Sequence, residues 1–140
     1  MNMRNDARNL SNDPVVLHPI GYVMLSFDKP DAVEQSNGVR SRIILDESLQ
    51  EGLEGLETDQ EILVVFWFHC SNGFELRQHP RGDRSHPRRG VFTLRSPNRP
   101  NPIGISRVKV TALEDNVLTV SGLDAFNGTP VLDIKPLTGN

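Results

Sequence analysis

The sequence predicts a mainly β fold that closes as a barrel or a sandwich and carries one or two short helices. Two features predict this class: six or seven short segments rich in β-branched and aromatic residues, and turn signals between them at regular spacing. A chain of 140 residues, 36% apolar and 24% charged, has the composition and size of one globular domain. We expect a flexible tail over residues 1–13 and one domain over residues 14–140.

The first half of the domain is predicted to hold two strands and a short helix. Residues 15–25 and 39–45 are rich in valine, leucine and isoleucine, which favours strands. Residues 46–57 are acidic, and their leucines recur at the spacing of one helical face. Asp46 or Ser48 is the expected cap of that helix.

The second half is predicted to be strands around one long loop. Residues 61–70, "EILVVFWFHC", form the strongest predicted strand, apolar on both faces and therefore central. Residues 71–89 are a polar loop without structure of its own, and loops of this length are usually functional or disordered. The remaining predicted strands cover residues 90–96, then 104–114 and 116–124 as a hairpin, and finally 129–137.

The sequence gives no sign of membrane insertion or secretion. The longest apolar run, residues 62–68, is far too short to span a bilayer. The polar amino terminus lacks the apolar centre of a signal peptide, so we expect a cytoplasmic protein. Cys70 is the single cysteine, which excludes an internal disulfide.

Standard nucleotide and metal motifs are absent. The chain has neither GxGxxG nor GxxxxGK[ST], which argues against a Rossmann-type or P-loop site. The spacing of His69, Cys70, His79 and His86 matches no zinc motif, so no metal is expected. A His69–Cys70 nucleophile pair is disfavoured because neighbouring residues on a strand point to opposite faces.

Charge is distributed unevenly along the chain. Between Arg77 and Lys109, nine Lys or Arg residues accompany one acid, Asp83, for a local balance of +8. The other 6 basic and 17 acidic residues give −11. A basic block in an acidic chain predicts a polyanionic partner or an anionic ligand.

Three stretches are candidate binding segments. The first is "FHC", residues 68–70, at the end of the strongest strand, where it forms a site or simply reaches water. The second is "RSPNRPNPIG", residues 95–104, whose three prolines fix the backbone and so reduce the entropy lost on binding. The third is "GLDAFNGTPVLDIKP", residues 122–136, with a turn whose Asp and Asn bind ribose hydroxyls or an amine, or cap their own turn. Asp133 and Lys135 in it also suit an ion pair.

In this order, "GLEGLE", "FWFHC", "GVFTLRSPNRPNPIGIS" and "GLDAFNGTPVLDIKP" resemble the signature of the TsaA-like family, over nearly the whole chain from about Ile20 onward. The resemblance implies a single-sheet β-barrel, unrelated to Rossmann methyltransferases, that forms homodimers and binds S-adenosylmethionine near the subunit contact. The best-understood members use this cofactor to methylate threonylcarbamoyladenosine beside the tRNA anticodon.

Site residues follow from the resemblance position by position. The implied cofactor contacts are His69, Cys70, Arg95, the backbone near Val120, the turn Asp124, Ala125, Phe126 and Asn127, and the loop residues Val33, Glu34 and Gln35. The basic block is expected to hold tRNA phosphates through Arg77, Arg81, Arg84, Arg88 and Arg89. No catalytic residue is assigned.

Three positions depart from the family pattern. Cys70 stands where Gln is common, Asn127 replaces the Asp of a DGTP element, and residues 33–35 replace Pro-Arg-Gln. An additional C-terminal domain of some bacterial members is not expected in these 140 residues. The predicted function is an S-adenosylmethionine-dependent methyltransferase acting on tRNA. The alternatives are a cofactor-binding protein or methyltransferase with a non-tRNA target, and a barrel that binds no cofactor.

Overall fold

The computed structural model describes residues 12–25 and 40–139, and they form a closed antiparallel β-barrel. The strands are β1 Gly21–Leu25, β2 Arg40–Leu45, β3 Glu61–Trp67, β4 Arg77–Gln78, β5 Arg89–Gly90, β6 Ile103–Glu114, β7 Val117–Ser121 and β8 Pro130–Pro136. The order around the barrel is β1-β2-β7-β6-β3-β8, and β8 pairs with β1 to close it. The predicted mainly β class and the barrel are confirmed, and β4 and β5 add a separate two-stranded sheet.

The barrel interior is filled by alternate residues of each strand, as period-2 side-chain geometry requires. On β3, Ile62, Val64 and Phe66 are buried, and the intervening residues are half-buried. β3 pairs with strands on both sides, as predicted for a central strand, although its outward face is only partly covered. The core cluster consists of Val23, Ile43, Leu45, Leu53, Ile62, Val64, Phe66, Val108, Val110, Leu118, Val120, Leu123 and Val131.

The predicted short helix is a 3-10 helix, Glu47–Leu53, that follows β2. Asp46 caps it, because its carboxylate accepts hydrogen bonds from the Ser48 backbone N–H at 2.9 Å and the Ser48 hydroxyl at 2.7 Å. These bonds hold the pKa of Asp46 below its ordinary value. Leu53 enters the core cluster from this segment.

Two predicted strand boundaries were wrong. The first strand begins at Gly21 rather than residue 15, and Val15, Val16 and Leu17 lie in irregular, exposed backbone. A run of β-branched residues therefore gave a false signal where no strand in the described part of the chain pairs with it. β3 ends at Trp67, and His69 and Cys70 lie in a turn, so the argument from opposite strand faces does not apply to them.

The strand predicted over residues 90–96 was also wrong. Apart from Gly90, which belongs to β5, this segment contains the 3-10 helix Val91–Thr93. Its side chains give a physical reason: Val91 is buried but Phe92 is 77% exposed, and the Thr93 hydroxyl donates to the Gly90 carbonyl at 2.7 Å. A side chain that bonds to nearby backbone in this way competes with a strand ladder.

The predicted structureless loop over residues 71–89 carries structure. β4 pairs with β5 as an antiparallel hairpin, and the 3-10 turn Pro80–Gly82 lies between them. Two-residue strands with arginine and glutamine show no apolar alternation, so the pattern that reveals longer strands was absent. No helix in the described ranges is long and apolar enough to cross a membrane.

We expect Gly104→Ala to destabilise the barrel by about 1–3 kcal/mol, the usual cost of overpacking a core. Gly104 is buried on β6, and an added Cβ would lie 2.6 Å from Cζ of Phe66 and 2.7 Å from Cζ of Phe68. These rings already pack edge to face, with centroids 5.1 Å apart, so neither can move freely. Urea denaturation measures the change. Gly52→Ala is the matched control because its Cβ would meet nothing within 4 Å, and an equal loss in both variants would contradict the packing argument.

Candidate functional site

One end of the barrel brings the predicted binding segments together. The antiparallel pairing places the ends of β1, β3 and β7 beside the beginnings of β2, β6 and β8. Residues 68–70 follow β3, residues 95–104 lead into β6, and residues 124–127 join β7 to β8. Segments far apart in sequence thus share the end of the barrel to which the family resemblance assigned the cofactor.

Direct hydrogen bonds fasten residues 95–104, which we call the proline-rich loop, to the end of β3. The Phe68 backbone N–H donates to the Pro102 carbonyl at 2.7 Å. The Ser71 hydroxyl donates to the Pro97 carbonyl at 2.9 Å. The Gln78 side-chain amide, on β4, donates to the Asn98 carbonyl. The loop is therefore a fixed wall between the barrel end and the small hairpin.

The two arginines of this loop have different roles. The Arg99 guanidinium donates to the Leu94 carbonyl at 2.9 Å and the Ser96 carbonyl at 3.2 Å, so it holds the loop in shape. Arg95 is exposed, and its side chain makes no hydrogen bond or ion pair within residues 12–25 and 40–139. Arg95 is therefore available to an anionic group of a ligand.

The turn between β7 and β8 is anchored to β1. Oδ1 of Asn127 accepts the Leu25 backbone N–H at 3.0 Å, and the Gly128 backbone N–H donates to the Val23 carbonyl at 2.7 Å. Gly128 has φ of 82°, a conformation that favours glycine, which confirms the predicted Asn-Gly turn. Asn127 therefore has a structural role as an acceptor, which needs no negative charge.

The remaining predicted cofactor residues differ in accessibility. Asp124 is exposed, Ala125 is half-buried, and Phe126 is 71% exposed. Val120 is fully buried in the core. His69 and Cys70 are exposed in the turn after β3. Val33, Glu34 and Gln35 lie outside the described residues.

We expect Asn127→Ala to lower the free energy of unfolding by about 0.5–1.5 kcal/mol, the net value of one hydrogen bond. The change leaves the Leu25 N–H without its acceptor at the end of β1. Asn127→Asp keeps an oxygen at the same position and restores the residue typical of the family. Thermal denaturation of both variants separates the two effects. Equal destabilisation by Ala and Asp would show that the acceptor is not what matters.

Two cavities adjoin the proline-rich loop and share Leu94 and Arg95 in their walls. The larger, about 1350 Å³, lies between this loop and the β4–β5 hairpin, and we call it the arginine cavity. Its cationic lining residues are Arg81, Arg84, Arg88, Arg89 and Arg95. The smaller, about 440 Å³, we call the apolar cavity, and it is lined mainly by Phe68, Phe92, Pro100, Ile103 and Ile105 together with Arg95 and Arg99.

The structure thus brings together four of the five predicted phosphate-binding arginines and adds Arg95 to them. Arg77, the fifth, is exposed on β4 but does not line the arginine cavity. His69, Cys70 and the turn 124–127 line neither cavity. These residues lie at the same end of the barrel as Arg95, but within one chain they line no cavity together with it.

The one acid of the basic block does not neutralise its arginines. The Asp83 carboxylate accepts from the Ser85 hydroxyl at 2.6 Å and from the Ser85 backbone N–H at 2.9 Å. These bonds, with a smaller contribution from His79, hold the pKa of Asp83 below its ordinary value. The same carboxylate lies 3.6 Å from Nε2 of His86. Asp83 therefore organises its own turn, and the cavity keeps its positive charge.

The described ranges contain no group of three His, Cys, Asp or Glu side chains arranged to hold a metal ion. Asp133 and Lys135 form the ion pair that the sequence suggested, with Oδ2 and Nζ 2.8 Å apart.

Sequence reasoning missed several residues around the arginine cavity. Gln78 and Asn98 hold its walls together, and Phe74 contributes an exposed aromatic ring. Phe92 contributes an exposed aromatic ring to the apolar cavity. The available signal was the position of Phe74 and Phe92 on either side of five arginines, in a segment that offers too few apolar residues for a core of its own.

Comparison with known proteins identifies similar chains. Residues 24–140 match the family model described as tRNA-methyltransferase O N-terminal domain. A Methanocaldococcus jannaschii protein named as a probable S-adenosyl-L-methionine-binding protein is 44% identical over 107 residues, which cover 74% of this chain and 84% of that protein. The rat protein named tRNA (adenine(37)-N6)-methyltransferase is 32% identical, over 91% of this chain and 32% of the rat protein.

Solved structures give the same result for the fold. The crystal structure of TrmO from Pseudomonas aeruginosa superposes with a TM-score of 0.68 at 32% identity. The match covers 90% of this chain and 57% of the TrmO chain, so the present chain spans little more than half the length of that relative.

Proposed function

The chain belongs to the tRNA-methyltransferase O N-terminal domain family, as its motifs predicted, and from this premise we propose that it transfers a methyl group from S-adenosylmethionine to tRNA. We further propose that the acceptor is threonylcarbamoyladenosine beside the anticodon. One observation supports the pairing of cofactor and RNA above all others. Arg95, an expected cofactor contact, also lines the arginine cavity that offers the binding surface for a polyanion.

Side chains at this end of the barrel fit S-adenosylmethionine by chemical type. The Arg95 guanidinium suits a carboxylate, since a charge-assisted, fork-like contact is the strongest hydrogen bond available to it. The exposed carboxylate of Asp124 suits ribose hydroxyls or an ammonium group, and the exposed ring of Phe126 offers an aromatic face. When bound, the sulfonium cofactor supplies a methyl group that is already activated.

The protein's own contribution is then to place the acceptor. A methyl transfer needs the accepting nitrogen held in line with the breaking bond, which binding and orientation provide. The arginine cavity holds RNA phosphates, and the rigid proline-rich loop fixes Arg95 relative to that cavity. A general base is unnecessary where acyl neighbours acidify the amide N–H of the acceptor, so we assign no catalytic residue.

The proposal is tested with tRNA from a strain that lacks the methylation. The protein is incubated with methyl-labelled S-adenosylmethionine and this tRNA, and the label is located by nuclease mapping. We expect label in the anticodon loop. Calorimetry with the cofactor runs in parallel, so that absence of label together with intact cofactor binding would overturn tRNA as substrate while leaving the cofactor assignment standing.

A second candidate function is cofactor binding or methyl transfer with a non-tRNA target. Two observations favour it: the Methanocaldococcus jannaschii relative is named only for cofactor binding, and Cys70 replaces the glutamine common at that position. This alternative expects cofactor affinity without measurable tRNA affinity at low salt. Titration of tRNA against the protein at low ionic strength therefore discriminates the two.

We also propose that the protein is a cytoplasmic homodimer, as the resemblance and the sequence implied. The apolar cavity exposes Phe92 by 77% and Ile105 by 41%, which is an apolar surface of the kind that subunits cover. Arg95 shares no cavity with His69 or residues 124–127 in one chain, so a second copy seated on this surface is one way to complete the cofactor site. Light scattering is expected to give twice the chain mass of 15.6 kDa.

A further inference from the structure

The arginine cavity contains more than positive charge. Five arginines and one acid, Glu75, are among its lining residues. Within the described part of the chain, none of the five arginines forms an ion pair, whereas Arg107 is paired with Glu61 on the outside of the barrel. A cluster of unpaired guanidinium groups is a binding surface for phosphates, since the fork geometry matches phosphate oxygens.

The cavity walls are hydrogen-bonded into place. The Gln78 side-chain amide donates to the carbonyls of Glu75 and Asn98, so it bridges the irregular segment before β4 and the proline-rich loop. Nδ1 of His79 lies 2.9 Å from the His86 carbonyl, which closes the tip of the hairpin on itself. Hydrogen bonds therefore fix the walls that carry the arginines, around an open space of about 1350 Å³.

Apart from the His79 imidazole, Phe74 is the one aromatic side chain in the lining of this cavity, and it is 53% exposed. An apolar ring among arginines gains nothing from phosphate and is costly to leave in water. Surfaces that bind single-stranded nucleic acid combine these two elements: cations that follow the backbone and an aromatic ring on which a base stacks. A duplex offers no such face, because its bases are stacked on one another.

We propose that the arginine cavity binds a single-stranded RNA segment, with one base stacked on Phe74 and the neighbouring phosphates held by Arg81, Arg84 and Arg88. This inference rests on the proposed function, because it specifies how the RNA substrate is held. It assigns Phe74 a role in RNA recognition that is separate from cofactor binding. It also requires the bound nucleotides to be unpaired.

Fluorescence anisotropy with a labelled single-stranded RNA of about ten nucleotides tests the inference, without cofactor present. Phe74→Ala is expected to weaken binding by roughly 5- to 150-fold, the range seen when a stacking aromatic is removed. Phe74→Trp keeps a stacking face and is expected to retain affinity. The slope of affinity against salt is expected to stay unchanged in Phe74→Ala, because no phosphate contact is lost. The same RNA annealed to its complement is expected to bind more weakly than the single strand.

Equal affinity for single strand and duplex, or unchanged affinity in Phe74→Ala, would overturn the inference. Because Phe74 is exposed, its replacement leaves the core intact, and thermal denaturation verifies this. The outcome is separable from the proposed function. Stacking-dependent RNA binding without methyl transfer to tRNA would defeat the proposed function alone, and methyl transfer unaffected by Phe74→Ala would defeat this inference alone.

Discussion

We expect Arg95→Ala to weaken binding of S-adenosylmethionine by roughly 10- to 150-fold, which corresponds to the loss of one hydrogen bond to a charged group. The reason lies in the contrast between the two arginines of the proline-rich loop. Arg99 bonds to carbonyls of its own loop, and Arg95 is exposed beside both cavities without a partner among the described residues. Isothermal titration calorimetry with the cofactor measures the change directly.

Two further variants make this result specific. Arg95→Lys keeps the charge but not the planar fork, so we expect affinity between that of the wild type and Arg95→Ala. Arg107→Ala is the matched control, because it removes an arginine that lies outside both cavities and is paired with Glu61. Wild-type affinity in Arg95→Ala would show that the cofactor lies elsewhere and would refute the placement of the site.

The barrel was predictable from the sequence because most of its strands bury alternate residues, most of them apolar. The Asn-Gly turn and the Asp46 cap were predictable for a different reason, since both are formed by local hydrogen bonds: the Thr129 N–H donates to the Phe126 carbonyl, and the Ser48 N–H donates to Asp46. The β4–β5 hairpin was not, because its four residues bury no apolar side chain and are held by contacts with the loop at 95–104. Residues 15–19 failed in the opposite way, because they have strand composition but pair with no strand among the described residues.

The candidate site was predictable as a set of segments and not as a surface. Sequence placed Arg95, residues 124–127 and the basic block separately, and only the strand order showed that the first two share one barrel end. Arg99 holds the loop and Arg95 is left exposed because only the Arg99 guanidinium reaches carbonyls of the loop. The spacing of the two arginines in the sequence does not reveal this difference. Similarly, Arg77 and Arg81 look equivalent in the sequence, yet only Arg81 lines the arginine cavity.

That difference leads to an expected result for RNA. Replacing Arg81, Arg84 and Arg88 together by alanine is expected to lower affinity for single-stranded RNA by roughly 100-fold at 0.1 M salt. Each phosphate contact contributes about 0.7 to the slope of log affinity against log salt, so three lost contacts reduce the slope by about 2. All three side chains are exposed and line the cavity, so their replacement leaves the barrel core unchanged. Anisotropy titrations at salt concentrations from about 0.05 to about 0.3 M give both the affinity and its slope against salt.

The control must change charge without changing the cavity. Arg107→Ala combined with Lys135→Ala removes two cations that are paired with Glu61 and Asp133 and do not line the arginine cavity. If net charge alone attracts the RNA, this double variant loses affinity and slope in proportion to its charge. If the cavity binds the RNA, the double variant keeps the wild-type slope and the triple variant does not. An unchanged slope in the triple variant would mean that these three arginines do not contact phosphates, and the RNA would have to be held by other residues.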